Sequence, residues 1–264
     1  MGEIRRILKS YGFVSAVFLS IFSMLYPHMD AYVFWQTPLE YFAAGDFLYY
    51  MLMPLRFGLG TLLLPFIATL PTAMFLSEDR LYKIDLLMCH RYGKWRYMIH
   101  RMIVAASGAV SAALIGLLMY TFFVGIASPW HDNIVSSWRN LSNLPFNEWI
   151  NQHEGLPFIA FNYGCLALTA MTWSLFGFCL SCFTSNTGIV IGGTFLLHYL
   201  ASWCCSYVLK IYQWSPMVLQ FPRTYYEGSI ALMIVRLTIW LLLSIVASVV
   251  CASRYLARME EGSI

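Results

Sequence analysis

The chain has 264 residues, 59% of them hydrophobic, 17% aromatic and only 11% charged, with a net charge of +3 and a mean hydropathy of +0.65. A soluble domain carries about 25% charged residues, so too few polar groups exist here to cover a water-facing surface. That excludes a soluble enzyme and, for the opposite reason, a disordered protein; the small net charge gives no footprint for nucleic acid. The balance points to an all-α integral membrane protein.

A helix needs about 20 apolar residues to cross the hydrocarbon core. Six stretches qualify, at roughly 11–27, 50–76, 102–127, 158–180, 188–209 and 230–252, and together they make residues 1–264 a single membrane domain. The first follows Arg5, Arg6 and Lys9 and is closed by Pro27. No small-x-small cleavage site follows Phe22, so it is expected to be a retained span and not a signal peptide. Arginine and lysine set the orientation. With the N-terminus inside, the inner segments hold Arg5, Arg6, Lys9, Arg80, Lys83, Arg91, Lys94, Arg96, Arg101, Arg254 and Arg258. The outer segments hold only Arg139, Lys210 and Arg223. This bias predicts both termini in the cytoplasm.

Three outer segments are rich in aromatics. Residues 28–49 contain Tyr32, Phe34, Trp35, Tyr41 and Phe42, residues 128–157 contain Trp130, Trp138 and Trp149, and residues 210–228 contain Pro216 and Pro222. Tyr and Trp settle at the headgroup level, so each segment is expected to be interfacial or partly re-entrant.

The inner stretch from Ser77 to Arg96 is the most informative. Ser77 is a good N-cap, Glu78 and Asp79 suit the first turn, His90 and Arg91 suit the last, and Gly93 provides an exit. Leu81, Ile84, Leu87 and Met88 fall on one face, with Arg80, Lys83 and Asp85 largely on others. The pattern predicts one amphipathic helix of about four turns over 78–91, running into a basic and aromatic collar of Trp95, Arg96, Tyr97, His100 and Arg101. Such a helix either lies on an anionic leaflet or docks a cytoplasmic partner. The acids at its start favour a partner, because a lipid-binding helix avoids carboxylates facing anionic headgroups.

The order of these parts resembles the permease subunit of the ABC type-2 exporters, of the compact bacterial kind used for peptide export or against antimicrobial peptides. The matching features are Arg5-Arg6-Ile-Leu-Lys9 at the N-terminus, Pro65 and Pro71 in the second span, and Glu78 to Arg91 followed by Lys94-Trp95-Arg96. The prolines Pro216 and Pro222 before the last span also match. The resemblance implies six spans and a coupling helix between the second and third. It also implies docking of a separate ATP-binding cassette ATPase through Glu78, Asp79, Arg80, Leu81, Ile84, Asp85, Leu87 and Arg91. It further implies a second permease chain, identical or related, in a bacterial plasma membrane. The chain carries no Gly-x-x-x-x-Gly-Lys-Ser/Thr loop, so ATP hydrolysis would belong to the partner.

Several other residues have a plainer role open to them beside a functional one. Arg56 and Arg236 lie near the outer ends of spans; they either snorkel or pair with Asp46 or Glu227, or they form a basic site on a substrate path. Gly188-x-x-x-Gly192 and the Gly108, Ala112, Gly116 series allow close helix approach, within the chain or between chains. Cys179-Leu-Ser-Cys182 has redox spacing but no supporting context. Seven cysteines, six of them in or beside apolar stretches, argue against a disulfide framework. No cofactor or metal site is expected. His198 stands alone in span five, and no paired acids or Ser-His-Asp set suggests an intramembrane enzyme. The competing reading is a polytopic scaffold or sensor that recruits a partner without transport.

Overall fold

In the computed structural model, residues 6–29, 31–43, 47, 50–51, 54, 59–71, 73–128, 155–220 and 230–261 are described, and among them every regular element is helical. Ser10 caps the first long helix, its Oγ accepting from Phe13 N–H at 3.1 Å. That helix, α1 (Tyr11–Leu25), continues as a single 3₁₀ turn through Pro27 to His28. The short helices α2 (Tyr32–Gln36) and α3 (Pro38–Ala43) follow. Next come α4 (Leu59–Thr69), α5 (Ala73–Leu81), α6 (Ile84–Tyr92) and α7 (Lys94–Ala127). The remaining α-helices are α8 (Gly155–Ser181), α9 (Thr187–Trp203), α10 (Pro216–Gln220) and α11 (Ile230–Glu260), with a π turn at Cys204–Val208 and a 3₁₀ turn at Tyr212–Trp214 between α9 and α10.

Five helices among the described residues are long and apolar enough to cross a membrane: Tyr11–His28, Lys94–Ala127, Ile159–Ser181, Thr187–Val208 and Ile230–Glu260. They match five of the six expected spans. The expected second span, 50–76, is described only in part. Its regular piece, α4, spans about 16 Å at 1.5 Å per residue, and its last residues, from Ala73, belong to α5. At 34 and 31 residues, α7 and α11 extend about 51 and 46 Å. Both exceed the roughly 30 Å hydrocarbon core, so their polar ends stand beyond it.

α8 lies at the centre, packed against α4, α7, α9 and α11, while α1 packs on α7 and α4. The small residues of α7 serve this packing. Gly108, Ala112 and Gly116 are buried, and Ser20 Oγ on α1 donates to the Ala113 carbonyl at 3.2 Å. A Cβ built at Gly116 would overlap Cβ of Ser20 and meet the Val17 carbonyl at 3.0 Å. The expected close approach in the third span is therefore made inside the chain. The glycines opening α9 are not alike: Gly193 would bring a Cβ to 2.9 Å from Leu180 Cδ1, whereas Gly192 has nothing within 4 Å of its Cβ position.

This difference sets an expectation. Gly116→Ala should lower the stability of the purified chain by about 1–3 kcal/mol through overpacking, whereas Gly192→Ala should not lower it; thermal unfolding of both in one detergent checks this.

Candidate functional site

The stretch expected to form one helix is instead two. α5 runs straight through Ser77, which is buried inside the helix and is not its N-cap. The helix ends at Leu81, tightens as Lys83 N–H reaches the Arg80 carbonyl at 3.1 Å, and turns at Lys83, whose φ of 55° is left-handed. α6 then starts in a new direction and ends at Gly93, whose φ of 86° suits glycine alone. A left-handed lysine costs about 1–2 kcal/mol, and two buried carboxylates explain why the chain accepts it. Asp79 and Asp85 are six positions apart, which on a continuous helix places them about 120° apart around the axis. The break lets both face inward.

Asp79 is fully buried between two arginines. It pairs with Arg101 of α7 and, at 3.2 Å, with Arg6 of the segment before α1, and it accepts from Tyr97 Oη at 2.9 Å. Arg6 also pairs with Glu78 at 3.2 Å and lies over the Phe75 ring at 4.7 Å. Asp85, buried, accepts a hydrogen bond from Tyr255 of α11. Arg80 stacks on the ring of Tyr255 at 5.1 Å and donates to the Ser181 carbonyl at 2.9 Å, while Arg258 donates to the Cys182 carbonyl at 3.1 Å. Two cations therefore close the C-terminal end of α8, where unpaired carbonyls and the helix dipole both favour positive charge. Lys94 and Glu260 add a pair at 2.6 Å between the start of α7 and the end of α11.

The residues expected to dock a partner thus divide between the inside and the surface. Of the eight residues assigned to docking, Asp79 and Asp85 point inward, and Glu78, Arg80 and Ile84 are half-buried. Leu81, Leu87 and Arg91 are exposed, the two leucines at 65% and 71%, with Tyr82 beside them at 70%. Leu81 and Leu87, expected to dock a partner, are exposed, whereas partners distant in sequence make Asp79 and Asp85 the buried side. The argument from outward-facing acids therefore falls away, and exposed leucines take its place.

Arg236 is buried against the returning segment, donating to Gln213 Oε1 at 2.6 Å with its guanidinium 5.8 Å from the Trp214 ring. Arg56, Asp46 and Glu227 lie outside the described residues, as do 129–154 and 221–229. Cys179 and Cys182 are free and buried, Cys179 Sγ lying 3.3 Å from Ser248 Oγ.

Two polar clusters were not singled out in the sequence. His198, expected to stand alone, meets Gln220 of α10 at 2.6 Å, both fully buried, with the Trp173 ring edge-on at 4.7 Å. At the end of the bundle away from Asp79, buried His28 lies 2.8 Å from Tyr120 Oη, which gives its own proton to the Tyr50 carbonyl at 2.8 Å. His28 Nε2 is therefore the donor in that contact. The rings of Tyr41, Phe42 and Tyr50 surround it. Only the aromatic richness of 28–49 hinted at this, because the hydrogen-bonding partners are set by the fold.

No family model, curated protein or solved structure matches this chain.

Two expectations follow from the ion-pair geometry. Asp79→Ala takes the carboxylate away from buried Arg101 and should cost about 3–5 kcal/mol, while half-exposed Glu78→Gln should cost less than about 1 kcal/mol; unfolding of the two variants compares them. Cys89 on α6 gives a pH readout. Burial pushes its thiol up to about 11, the Asp85 carboxylate adds to the rise, and Lys94 opposes it. In a variant retaining Cys89 alone, alkylation should still accelerate at pH 10, where an ordinary thiol near 8.5 has levelled off.

Proposed function

We propose that the chain is the permease subunit of an ABC exporter, coupled to a separate ATPase through the α5–α6 elbow. The observation that supports this most directly is the elbow's two-sidedness. Outward, it exposes Leu81, Tyr82, Leu87 and Arg91, a surface of apolar and basic character outside every apolar helix long enough to cross a membrane. Inward, Asp79 and Asp85 fasten it to α7 and α11, and Arg80 fastens it to the end of α8. A push on the elbow would be carried to three long helices at once by contacts that are buried and stiff. In this reading Leu81, Leu87 and Arg91 touch the ATPase, and Glu78, Asp79, Arg80, Ile84 and Asp85 hold and transmit.

The remaining parts follow the same reading. The protein sits in a bacterial plasma membrane with both termini inside, and a second permease chain, identical or related, completes the path. The cargo is a peptide, lipid-like or antimicrobial compound, in keeping with the many aromatics of the outer segments. Arg236, closed by Gln213 in this conformation, would meet cargo only if the 210–220 segment moves.

Purification of the tagged chain from its host in mild detergent tests the assignment. An ATP-binding cassette subunit should accompany it in about equal amount and hydrolyse ATP. Leu81→Glu with Leu87→Glu should abolish that association while leaving the melting temperature unchanged, since both side chains face outward. A chain that purifies alone, without nucleotide hydrolysis, would instead support the scaffold or sensor reading.

A further inference from the structure

Charge at the basic end of the bundle is unevenly distributed between its inside and its surface. The ion pairs of Asp79 with Arg6 and Arg101, the Asp85–Tyr255 bond and the Lys94–Glu260 pair bring the ends of α1, α7 and α11 to one level. Among the described residues there, Glu78, Asp79, Asp85 and Glu260 are all engaged with partners inside the chain, and Glu261 lies past the end of α11. Lys9, Arg91, Arg96 and Arg254 are exposed and form no ion pair among the described residues. Bases outnumber acids among the described residues at this end, and the surface at this level is therefore cationic.

The position of two of these cations says what they face. Arg96, Ile99 and Ile103 fall at i, i+3 and i+7 on α7, and Ile99 and Ile103 are exposed. Arg254, Val250 and Val246 fall at the same kind of spacing on α11, and both valines are exposed. Each arginine thus ends an exposed apolar stripe on a helix long enough to cross a membrane. A stripe of that kind has lipid chains against it, and the group reached where the chains end is the headgroup. Arg91 lies over the Tyr92 ring at 5.3 Å, and Trp95 is exposed one turn on, residues that settle at that same level.

We propose that Arg96 and Arg254, with Lys9 and Arg91 beside them, form a collar that selects anionic phospholipid headgroups over zwitterionic ones. The contact is made by guanidinium and ammonium groups to the lipid phosphate; the exposed carboxylate of Glu260 is paired with Lys94, and half-exposed Glu78 with Arg6. The proposal does not depend on an ATPase docking at Leu81 and Leu87.

The test is native mass spectrometry of the full chain in detergent, offered phosphatidylglycerol and phosphatidylcholine of matched acyl chains. The wild type should retain phosphatidylglycerol preferentially, and Arg96→Gln or Arg254→Gln should each reduce that preference about fivefold. Lys83→Gln, at the elbow and on neither stripe, should leave it unchanged. Excess inorganic phosphate should not displace the lipid. Equal retention of the two lipids by the wild type would overturn the proposal and leave the cations to an acidic protein partner. So would an Arg96→Gln, Arg254→Gln double variant that melts as the wild type does yet keeps its preference. Displacement by inorganic phosphate would overturn it too, by showing a phosphate site that does not require the bilayer.

Discussion

The buried carboxylate of Asp79 is the constraint on which the basic end of this protein depends. A lone carboxylate away from water is strongly unfavourable, and removing one partner from a buried pair costs several kcal/mol. Asp79 therefore brings its partners with it: Arg101 from α7, Tyr97 one turn earlier, and Arg6 from the segment ahead of α1. Those three come from points up to 73 residues away along the chain. One side chain thus fixes how the first segment, the elbow and α7 meet.

The elbow follows from the same constraint. A second inward carboxylate, Asp85, has Tyr255 of α11 as its partner, and on a straight helix it would lie about 120° around the axis from Asp79. The left-handed Lys83 resolves the conflict at a modest conformational cost. Its consequence reaches the surface: with the acids inside, the leucines and cations of the same stretch are left outside. The apolar and basic exterior and the acidic interior are two sides of one arrangement.

Polar groups elsewhere in the bundle obey the same rule, that a polar atom without water must find protein. Gln220 is delivered to His198 by the short helix α10, and the turn before it is held by Trp240 Nε1 donating to the Trp214 carbonyl at 3.0 Å and by Arg236 on Gln213. His28 is enclosed by tyrosines at the other end. The apolar helices supply most of the packing, and these few polar contacts fix where the connecting segments lie.

Helix class, five of the six apolar spans and the concentration of arginine and lysine toward one set of span ends were legible in the sequence, because they depend on composition and on runs of about 20 residues. The special standing of 78–91 was legible too, since its charges and capping residues interrupt the apolar pattern. Its geometry was not. Ser77 with acids after it reads as a helix start, yet Ala73 to Leu76 continue the helix upstream and bury the serine within it. Asp79 and Asp85 read as part of a docking surface, yet both are buried. Periodicity reports which residues share a face, but not which face is buried. Here only the tertiary structure decided that, by placing Arg101 and Tyr255 where the two carboxylates could be buried and paired.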